Sequence, residues 1–275
     1  AASDVYKRQL DDIENAFRRF ASLVPEDGWV VGCGDEKRVR SVLESVSCRT
    51  CTYGLEPQNE VRAEDISYDE NGCALFTATL YGHPLTDVEL QVPGEHNVKN
   101  ALAVIAVASL FSLPMSLVAE TLHEFRGVHR RYELTSVTDG VRVYQDYGHN
   151  PTETRNVLHV ARIQAPQKLW AVLQPHTYSR VKTLFQDYIH CCDLADDVLV
   201  TDIFAAREKD PGDIHATMLV EAMQKEGVPA HYTPTFDDAE AYLRAHWQPG
   251  DLVITMSCGN INLLNDQLQK HGEEG

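Results

Sequence analysis

The sequence predicts an α/β protein whose later part holds a parallel-rich sheet, and the order of apolar runs along the chain supports this prediction. From Val141 onward, short aliphatic runs alternate with helical patterns, an order typical of a parallel sheet with helices on both faces. Before Pro93, strand-like runs follow one another with turn signals between them, which indicates antiparallel pairing. The change of pattern near Gly127 predicts one domain over residues 1–128 and a second over residues 129–275.

The first domain is predicted to begin with an amphipathic helix, because Leu10–Leu23 places apolar residues at helical spacing. A short strand, Trp29–Val31, is followed by two glycines that resemble a dinucleotide-binding loop only weakly, and a plain turn explains them better. We expect Asp35 to cap the next helix, Glu36–Val46. The later elements of this domain are predicted as strands Cys48–Tyr53, Val61–Tyr68, Ala74–Tyr81 and Leu85–Val92, then helices from Pro93 to Phe111 and from Met115 to Phe125.

The second domain is predicted to open with a β-hairpin, Tyr132–Val137 and Val141–Tyr144. A helix should start at Pro151, because Asn150 stands at the N-cap position and Glu153 follows three residues later. The remaining predicted elements alternate as strand Lys168–Leu173, a helix to His190, strand Val198–Thr201, helix Asp213–Lys225, strand Ala230–Tyr232, helix Asp237–His246, strand Leu252–Thr255 and a last helix from Asn260.

Composition excludes several classes of partner. The formal net charge of −17 argues against binding to nucleic acid or to anionic membranes. No apolar run reaches the roughly 18 residues needed for membrane insertion, and the first ten residues lack the apolar segment of a secretion signal. Cys48 and Cys51 form a CxxC pair without the second pair that zinc requires, so we expect no metal site there. A cytoplasmic protein is the simplest prediction.

Polar residues cluster where the strand Val141–Tyr144 passes into the helix at Pro151. Asp146 and His149 stand at the carboxyl end of this strand, which is where α/β sheets bind ligands. The following helix N-terminus favours anions because its first N–H groups are unpaired. The alternative is a well-capped turn with no further role, which is the favoured interpretation for Asn150 and Pro151. For Asp146 and His149 the ligand-binding interpretation is favoured, because neither residue is needed to form the turn.

Two further groups are candidates for nucleotide binding. Asn97 and Asn100 are three residues apart, so both project from the first turn of a helix, and a side-chain amide matches the donor–acceptor edge of a nucleobase. One of the two asparagines could serve only as a cap. Arg130 and Arg131 either form a solvated basic edge or clamp a phosphate or ribose.

Four motifs in a fixed order resemble the Mur ligases of peptidoglycan synthesis. They are Glu95–Ala101, Arg130–Glu133, Asp146–Pro151 and Gln174–Arg180. The resemblance is greatest to the members that join L-alanine to UDP-N-acetylmuramate. It implies the latter part of a central α/β ATPase domain followed by a whole C-terminal Rossmann-like domain. The implied enzyme is an ATP-dependent amide ligase, in which L-alanine attacks an acyl phosphate and Mg²⁺ neutralises phosphoryl charge.

The resemblance also implies roles for individual side chains. Four would bind ATP: Asn97 and Asn100 the adenine, Arg131 the phosphates and Asp146 the ribose. Three would face the incoming L-alanine, namely His149, His176 and Arg180, with Arg180 pairing the substrate carboxylate. Tyr178 would give packing support.

The sequence departs from the family pattern at several positions. Gln145, Asn150 and Thr177 stand where many or some members have Asp, His and Arg, so recognition of the amino acid rests more on Arg180. No Gly-x-x-Gly-Lys-Ser/Thr loop occurs in the chain, and the Mg²⁺ ligands of the family would lie upstream. The chain alone is therefore expected to be inactive. Residues 1–9 match nothing expected before the first helix and are interpreted as foreign sequence.

The sequence leaves two alternatives to this function and disfavours a third. A tripeptide-recycling ligase of the same superfamily shares the Asp-Tyr-Gly-His type of turn, but Gln174–Arg180 and Arg207–Asp213 favour the alanine-adding ligase. A non-catalytic nucleotide-binding module is the alternative from another class. A dehydrogenase is disfavoured, because no Gly-x-Gly-x-x-Gly follows a strand.

Overall fold

The computed structural model describes the backbone from Ala2 to Glu273 and the side chains from Leu10 to Lys270. Ala1 and the side chains of residues 2–9 lie outside the described residues, so the interpretation of residues 1–9 as foreign stays a prediction. The chain divides into two compact units, one up to Arg126 and one from Gly127 onward. In the described part of the chain, no helix has the length and apolar character needed to cross a membrane.

The first unit holds a five-stranded sheet. Its elements are α1 (Ala2–Ala21), β1 (Trp29–Cys33), α2 (Lys37–Leu43), β2 (Arg49–Gly54), β3 (Val61–Tyr68), β4 (Cys73–Leu80), β5 (His83–Pro93), α3 (Glu95–Leu110) and α4 (Met115–Glu124). The strands lie in the order β1-β2-β3-β4-β5. Antiparallel pairing, predicted for all four later strands, holds only for β3, β4 and β5. Strand β2 pairs parallel with β1 and β3, because the α2 crossover returns the chain in the direction of β1.

The core of the first unit lies between this sheet and α3. Helix α3 buries Val98, Leu102 and Ile105 completely, and Phe76 of β4 packs in the same cluster. Burial of each such side chain stabilises the fold by about 1.5–3 kcal/mol. Cys51 also lies in this core, and burial raises the pKa of its thiol to about 12, so the thiol is inert at neutral pH.

The prediction that Asp35 caps α2 is wrong. The N-cap residue of α2 is Glu36, whose side chain makes no capping bond. Asp35 turns instead to the loop after β2, where its carboxylate accepts the backbone N–H groups of Leu55 and Glu56 at 3.0 Å each. Because those N–H groups have no partner in a strand, the loop competes successfully with the helix for the carboxylate.

The second unit holds a six-stranded sheet with helices on both faces. Its elements are β6 (Glu133–Thr138), β7 (Val141–Asp146), α5 (Pro151–Ile163), β8 (Leu169–Leu173), α6 (Tyr178–Thr183), α7 (Phe185–Ile189), β9 (Asp197–Val200), α8 (Ala216–Lys225), β10 (Ala230–Tyr232), α9 (Phe236–His246), β11 (Leu252–Met256) and α10 (Asn262–Glu273). The helix predicted to run to His190 is broken at Leu184, and the helix predicted from Asp213 begins at Ala216 behind a His215 cap.

The strand order in this unit is β10-β9-β8-β11-β7-β6, and only β6 runs antiparallel to its neighbour. The predicted α/β class with a parallel-rich sheet is confirmed. All five residues of β8 are fully buried, since clusters of apolar side chains cover both faces of the sheet. Because β11 lies between β7 and β8, the segments that follow these three strands emerge side by side at the carboxyl edge of the sheet.

Candidate functional site

The buried carboxylate of Asp146 anchors the turn after β7. Its Oδ1 accepts the N–H of Gly148 at 2.6 Å, and its Oδ2 accepts the N–H of Tyr132 at 2.9 Å. The expectation that the turn does not need Asp146 is therefore wrong. Burial raises the pKa of this carboxyl, while the two N–H donors and Arg131 oppose the shift. Each carboxylate oxygen retains a second acceptor position, so the assignment of Asp146 to a ribose stays a prediction.

Gly148 is required by the close approach of this carboxylate. A Cβ atom at residue 148 would lie 2.9 Å from Oδ1 of Asp146, which is closer than real Cβ contacts allow. The φ angle of Gly148 is not in the left-handed region. Glycine is therefore required here because the Asp146 carboxylate leaves no room for a Cβ atom, and not because of the backbone conformation.

The imidazole of His149 is held at the start of α5. Its Nδ1 lies 3.0 Å from the Tyr147 carbonyl oxygen and 3.3 Å from Oε2 of Glu153. The backbone of His149 donates to the same Glu153 oxygen and accepts from the Tyr188 hydroxyl at 2.8 Å. As predicted, Asn150 caps α5, accepting the N–H of Glu153 at 3.0 Å. The turn thus fixes both the backbone and the ring of His149.

His176, from the segment after β8, lies next to His149. The two ring centroids are 6.0 Å apart. The His176 ring stacks on Phe204, which follows β9, at 5.6 Å. Burial, together with the positive charge of Arg180 and the neighbouring His149, lowers the pKa of His176. This imidazole is therefore neutral at physiological pH and can accept a proton.

Arg180 lies in the same segment, four residues after His176. Its Nη1 lies 3.3 Å from Nδ1 and 3.2 Å from the carbonyl oxygen of His176. Within the part of the chain that the structure describes, Arg180 forms no ion pair, and Asp187 does not reach it. A half-buried guanidinium without a carboxylate partner favours an anionic ligand.

The two neighbouring arginines have different environments. Arg130 donates from Nη2 to the carbonyl oxygens of Ser257 and Gly259, at 2.9 Å each. Arg131 is exposed, and its guanidinium carbon lies 5.2 Å from the centre of the Tyr147 ring. Arg130 therefore binds the segment after β11, while the guanidinium of Arg131 is accessible to a ligand. Its assignment to phosphates stays a prediction.

Sequence reasoning missed the contribution of Ser257–Asn260, which follows β11. Gln174 donates to the side chain of Asn260 at 2.8 Å, and Arg180 contacts the Cys258 thiol, so this segment joins the site from the centre of the edge. Its signal in the sequence was a Ser-Cys-Gly-Asn run directly after a buried strand, the same kind of signal that identified Asp146.

Asn97 and Asn100 belong to the first unit, and the bonds they show are local. Asn97 donates from Nδ2 to the Pro93 carbonyl oxygen at 2.8 Å and accepts from Nδ2 of Asn100 at 3.1 Å. Asn97 therefore secures the entry to α3 and orients Asn100, whose exposed amide keeps an acceptor and one donor for a ligand. The adenine assignment of both residues stays a prediction.

The described residues contain no cluster of three or more His, Cys, Asp or Glu side chains arranged to hold a metal ion. The expectation that none of these residues binds Mg²⁺ stays a prediction.

The second unit is thus a Rossmann-like domain whose carboxyl edge carries two imidazoles and an open guanidinium. A family profile described as "Mur ligase, glutamate ligase domain" matches residues 130–259, and one described as "Mur ligase middle domain" matches residues 4–108. The chain belongs to the Mur ligase family, which confirms the resemblance found in the sequence.

Individual relatives agree with this family. The UDP-N-acetylmuramate–L-alanine ligase of Acetivibrio thermocellus is 40% identical over 266 residues, which are 96% of this chain and 57% of that protein. The chain therefore spans a little over half the length of this relative. The crystal structure of a UDP-N-acetylmuramate–alanine ligase from Thermotoga maritima matches with a TM-score of 0.73 at 23% identity, over 94% of this chain and 62% of that one. The MurF ligase from the same organism, in complex with ADP, matches with a TM-score of 0.65 at 15% identity, over 90% of this chain and 55% of that one.

Proposed function

We propose that the chain is the alanine-binding part, and a portion of the ATP-binding part, of an ATP-dependent ligase that joins L-alanine to UDP-N-acetylmuramate in peptidoglycan synthesis. The observation that carries this proposal is the open guanidinium of Arg180 beside the neutral imidazole of His176. The 40% identical relative that bears this activity as its name supports the choice of substrate.

The geometry suits an amino acid that attacks as a free amine. Arg180 holds the carboxylate of L-alanine by a charge-assisted hydrogen bond. Since Nδ1 of His176 faces Arg180, its Nε2 is the nitrogen available to a substrate. An ammonium group must lose a proton before it attacks, and a neutral imidazole with a lowered pKa can take that proton. His149, 6.0 Å away between ring centroids, supports the same step.

ATP supplies the phosphoryl group that converts the sugar carboxylate into an acyl phosphate. Each unit offers groups that suit parts of a nucleotide. In the first unit, the exposed amide of Asn100 matches an adenine edge. In the second unit, the exposed guanidinium of Arg131 suits phosphate, and the remaining acceptor positions of the buried Asp146 carboxylate suit ribose hydroxyls.

The test is a chimera in which this chain replaces the matching 57% of the Acetivibrio thermocellus ligase. We expect phosphate release that requires ATP, UDP-N-acetylmuramate and L-alanine together. The acceptor would be selected by this chain, so L-alanine should be used in preference to L-alanyl-D-glutamyl-diaminopimelate.

Preference for the tripeptide would show that the chain derives from a recycling ligase. A folded chimera that binds ATP but makes no product with either acceptor would also overturn the proposal, in favour of a non-catalytic module.

A further inference from the structure

The segment that carries His176 and Arg180 is not stabilised by its own sequence. Helix α6 has only six residues, and its N-cap residue, Thr177, makes no capping hydrogen bond with its side chain. The first N–H groups of a helix have no partner within it, so they need an acceptor from elsewhere in the fold. In a helix this short, the missing acceptor affects every residue, including Arg180.

Glu208 supplies this acceptor from the loop after β9. Its Oε2 accepts the backbone N–H of Ser179 at 2.9 Å, and its Oε1 accepts the Ser179 hydroxyl. The same carboxylate interacts with the backbone of Tyr178 and the side chain of Thr177. The hydrogen bonds from Ser179 lower the pKa of Glu208, so the group is fully ionised at neutral pH.

The loop after β9 also contacts the segment at a second point. Phe204 stacks on the His176 ring, and its backbone N–H donates to the Pro175 carbonyl oxygen at 2.8 Å. The N–H of Glu208 donates to the carbonyl oxygen of Ala205 at 2.9 Å, which closes a turn between these two contacts. His176 and α6 are therefore fixed by one continuous loop, with Phe204 at one end and Glu208 at the other.

We propose that Glu208 is a positioning residue for the amino-acid substrate, holding the turn Thr177–Arg180 so that Arg180 points its guanidinium at the substrate carboxylate. This inference rests on the proposed function. Because the protein's own carboxylate already occupies the N-terminus of α6, Arg180 and not the helix end receives the carboxylate of the substrate.

The experiment uses the chimera defined above and measures the KM of each substrate. Glu208→Ala should raise the KM for L-alanine about tenfold, while the KM values for ATP and UDP-N-acetylmuramate stay unchanged. Glu208→Gln keeps a neutral acceptor for the Ser179 N–H and should raise the KM for L-alanine by only about threefold. The control is Glu221→Ala, which removes an exposed carboxylate from α8 and should change no KM value.

Two outcomes would overturn the inference. One is an unchanged KM for L-alanine in Glu208→Ala. The other is a rise in all three KM values together with a lower melting temperature in both Glu208 variants, which would indicate general loss of structure. If the unsubstituted chimera shows no turnover that depends on L-alanine, the proposed function fails, and that result is read before any Glu208 variant is compared.

Discussion

At the scale of the single residue, Arg180 carries the sharpest prediction. Arg180→Ala, made in the chimera, should lower kcat/KM for L-alanine by about a hundredfold, because a charged hydrogen-bonding pair is lost. The KM for ATP and the melting temperature should barely change, since Arg180 has no ion-pair partner in the described part of the chain. Arg155→Ala, an exposed arginine on α5, is the matched control. A variant that melts several degrees lower with normal use of L-alanine would make Arg180 a structural residue.

His176 offers a test that does not depend on catalysis. Burial and the charge of Arg180 lower the pKa of its imidazole, so in an NMR titration the ring should take up its proton at a lower pH than an exposed histidine. Arg180→Gln removes the positive charge and should move the titration to higher pH. No movement in that variant would show that Arg180 does not face the ring, contrary to the 3.3 Å contact.

Asn100 tests the nucleotide assignment in the first unit. Asn100→Ala should raise the KM for ATP about tenfold and leave that for L-alanine nearly unchanged, because a base-edge hydrogen bond contributes roughly 1–3 kcal/mol. Asn156→Ala, which removes an exposed amide from α5, should alter neither value. An equal rise in the KM values of both substrates would instead give Asn100 a structural role at the start of α3, where it donates to Asn97.

At the scale of the element, α5 shows how a short helix start fixes a functional ring. Asn150 caps α5 by accepting the N–H of Glu153, and the Glu153 carboxylate in turn accepts the N–H of His149. The helix cap and the candidate site therefore share one set of hydrogen bonds. Tyr132, the residue just before the antiparallel strand β6, closes the same turn from the other side, because its N–H donates to Asp146.

This arrangement predicts a difference between two asparagines of the same helix. Asn150→Ala should destabilise the second unit by about 1 kcal/mol, the usual cost of a lost N-cap. Asn156→Ala changes the same residue type at an exposed mid-helix position and should leave stability unchanged or slightly raised. Urea unfolding followed by circular dichroism measures both, and equal stability of the two variants would contradict the capping role.

At the scale of the whole molecule, the chain combines two units of one ligase family with a sequence that lacks a phosphate-cradling Gly-x-x-Gly-Lys-Ser/Thr loop. We expect the 275-residue chain by itself to release no phosphate in the presence of ATP, UDP-N-acetylmuramate and L-alanine. Such loops and their metal ligands contribute several powers of ten to phosphoryl transfer. Under the same assay the chimera is the positive control, and turnover by the chain alone would refute this expectation.

The sequence by itself determined the class of the fold, most element boundaries and the family. Apolar periodicity and capping residues are local, so β8, α5 and the Asp146–Pro151 turn could be predicted from neighbouring residues alone. The four motifs also named His149, His176 and Arg180 as a set, although nothing in their spacing measures the distances between them.

Only the tertiary structure decided which residues share the carboxyl edge of the sheet. Strand order is a long-range property, so the position of β11 between β7 and β8 could not be read from local pattern, and Ser257–Asn260 was missed for that reason. The partners of unpaired backbone N–H groups are equally non-local. Asp35 accepts from the loop after β2 and not from the adjacent helix α2, and Glu208, in the loop after β9, caps α6. A short polar side chain binds whichever unpaired N–H the fold brings nearest, and the fold, not the adjacent sequence, makes that choice.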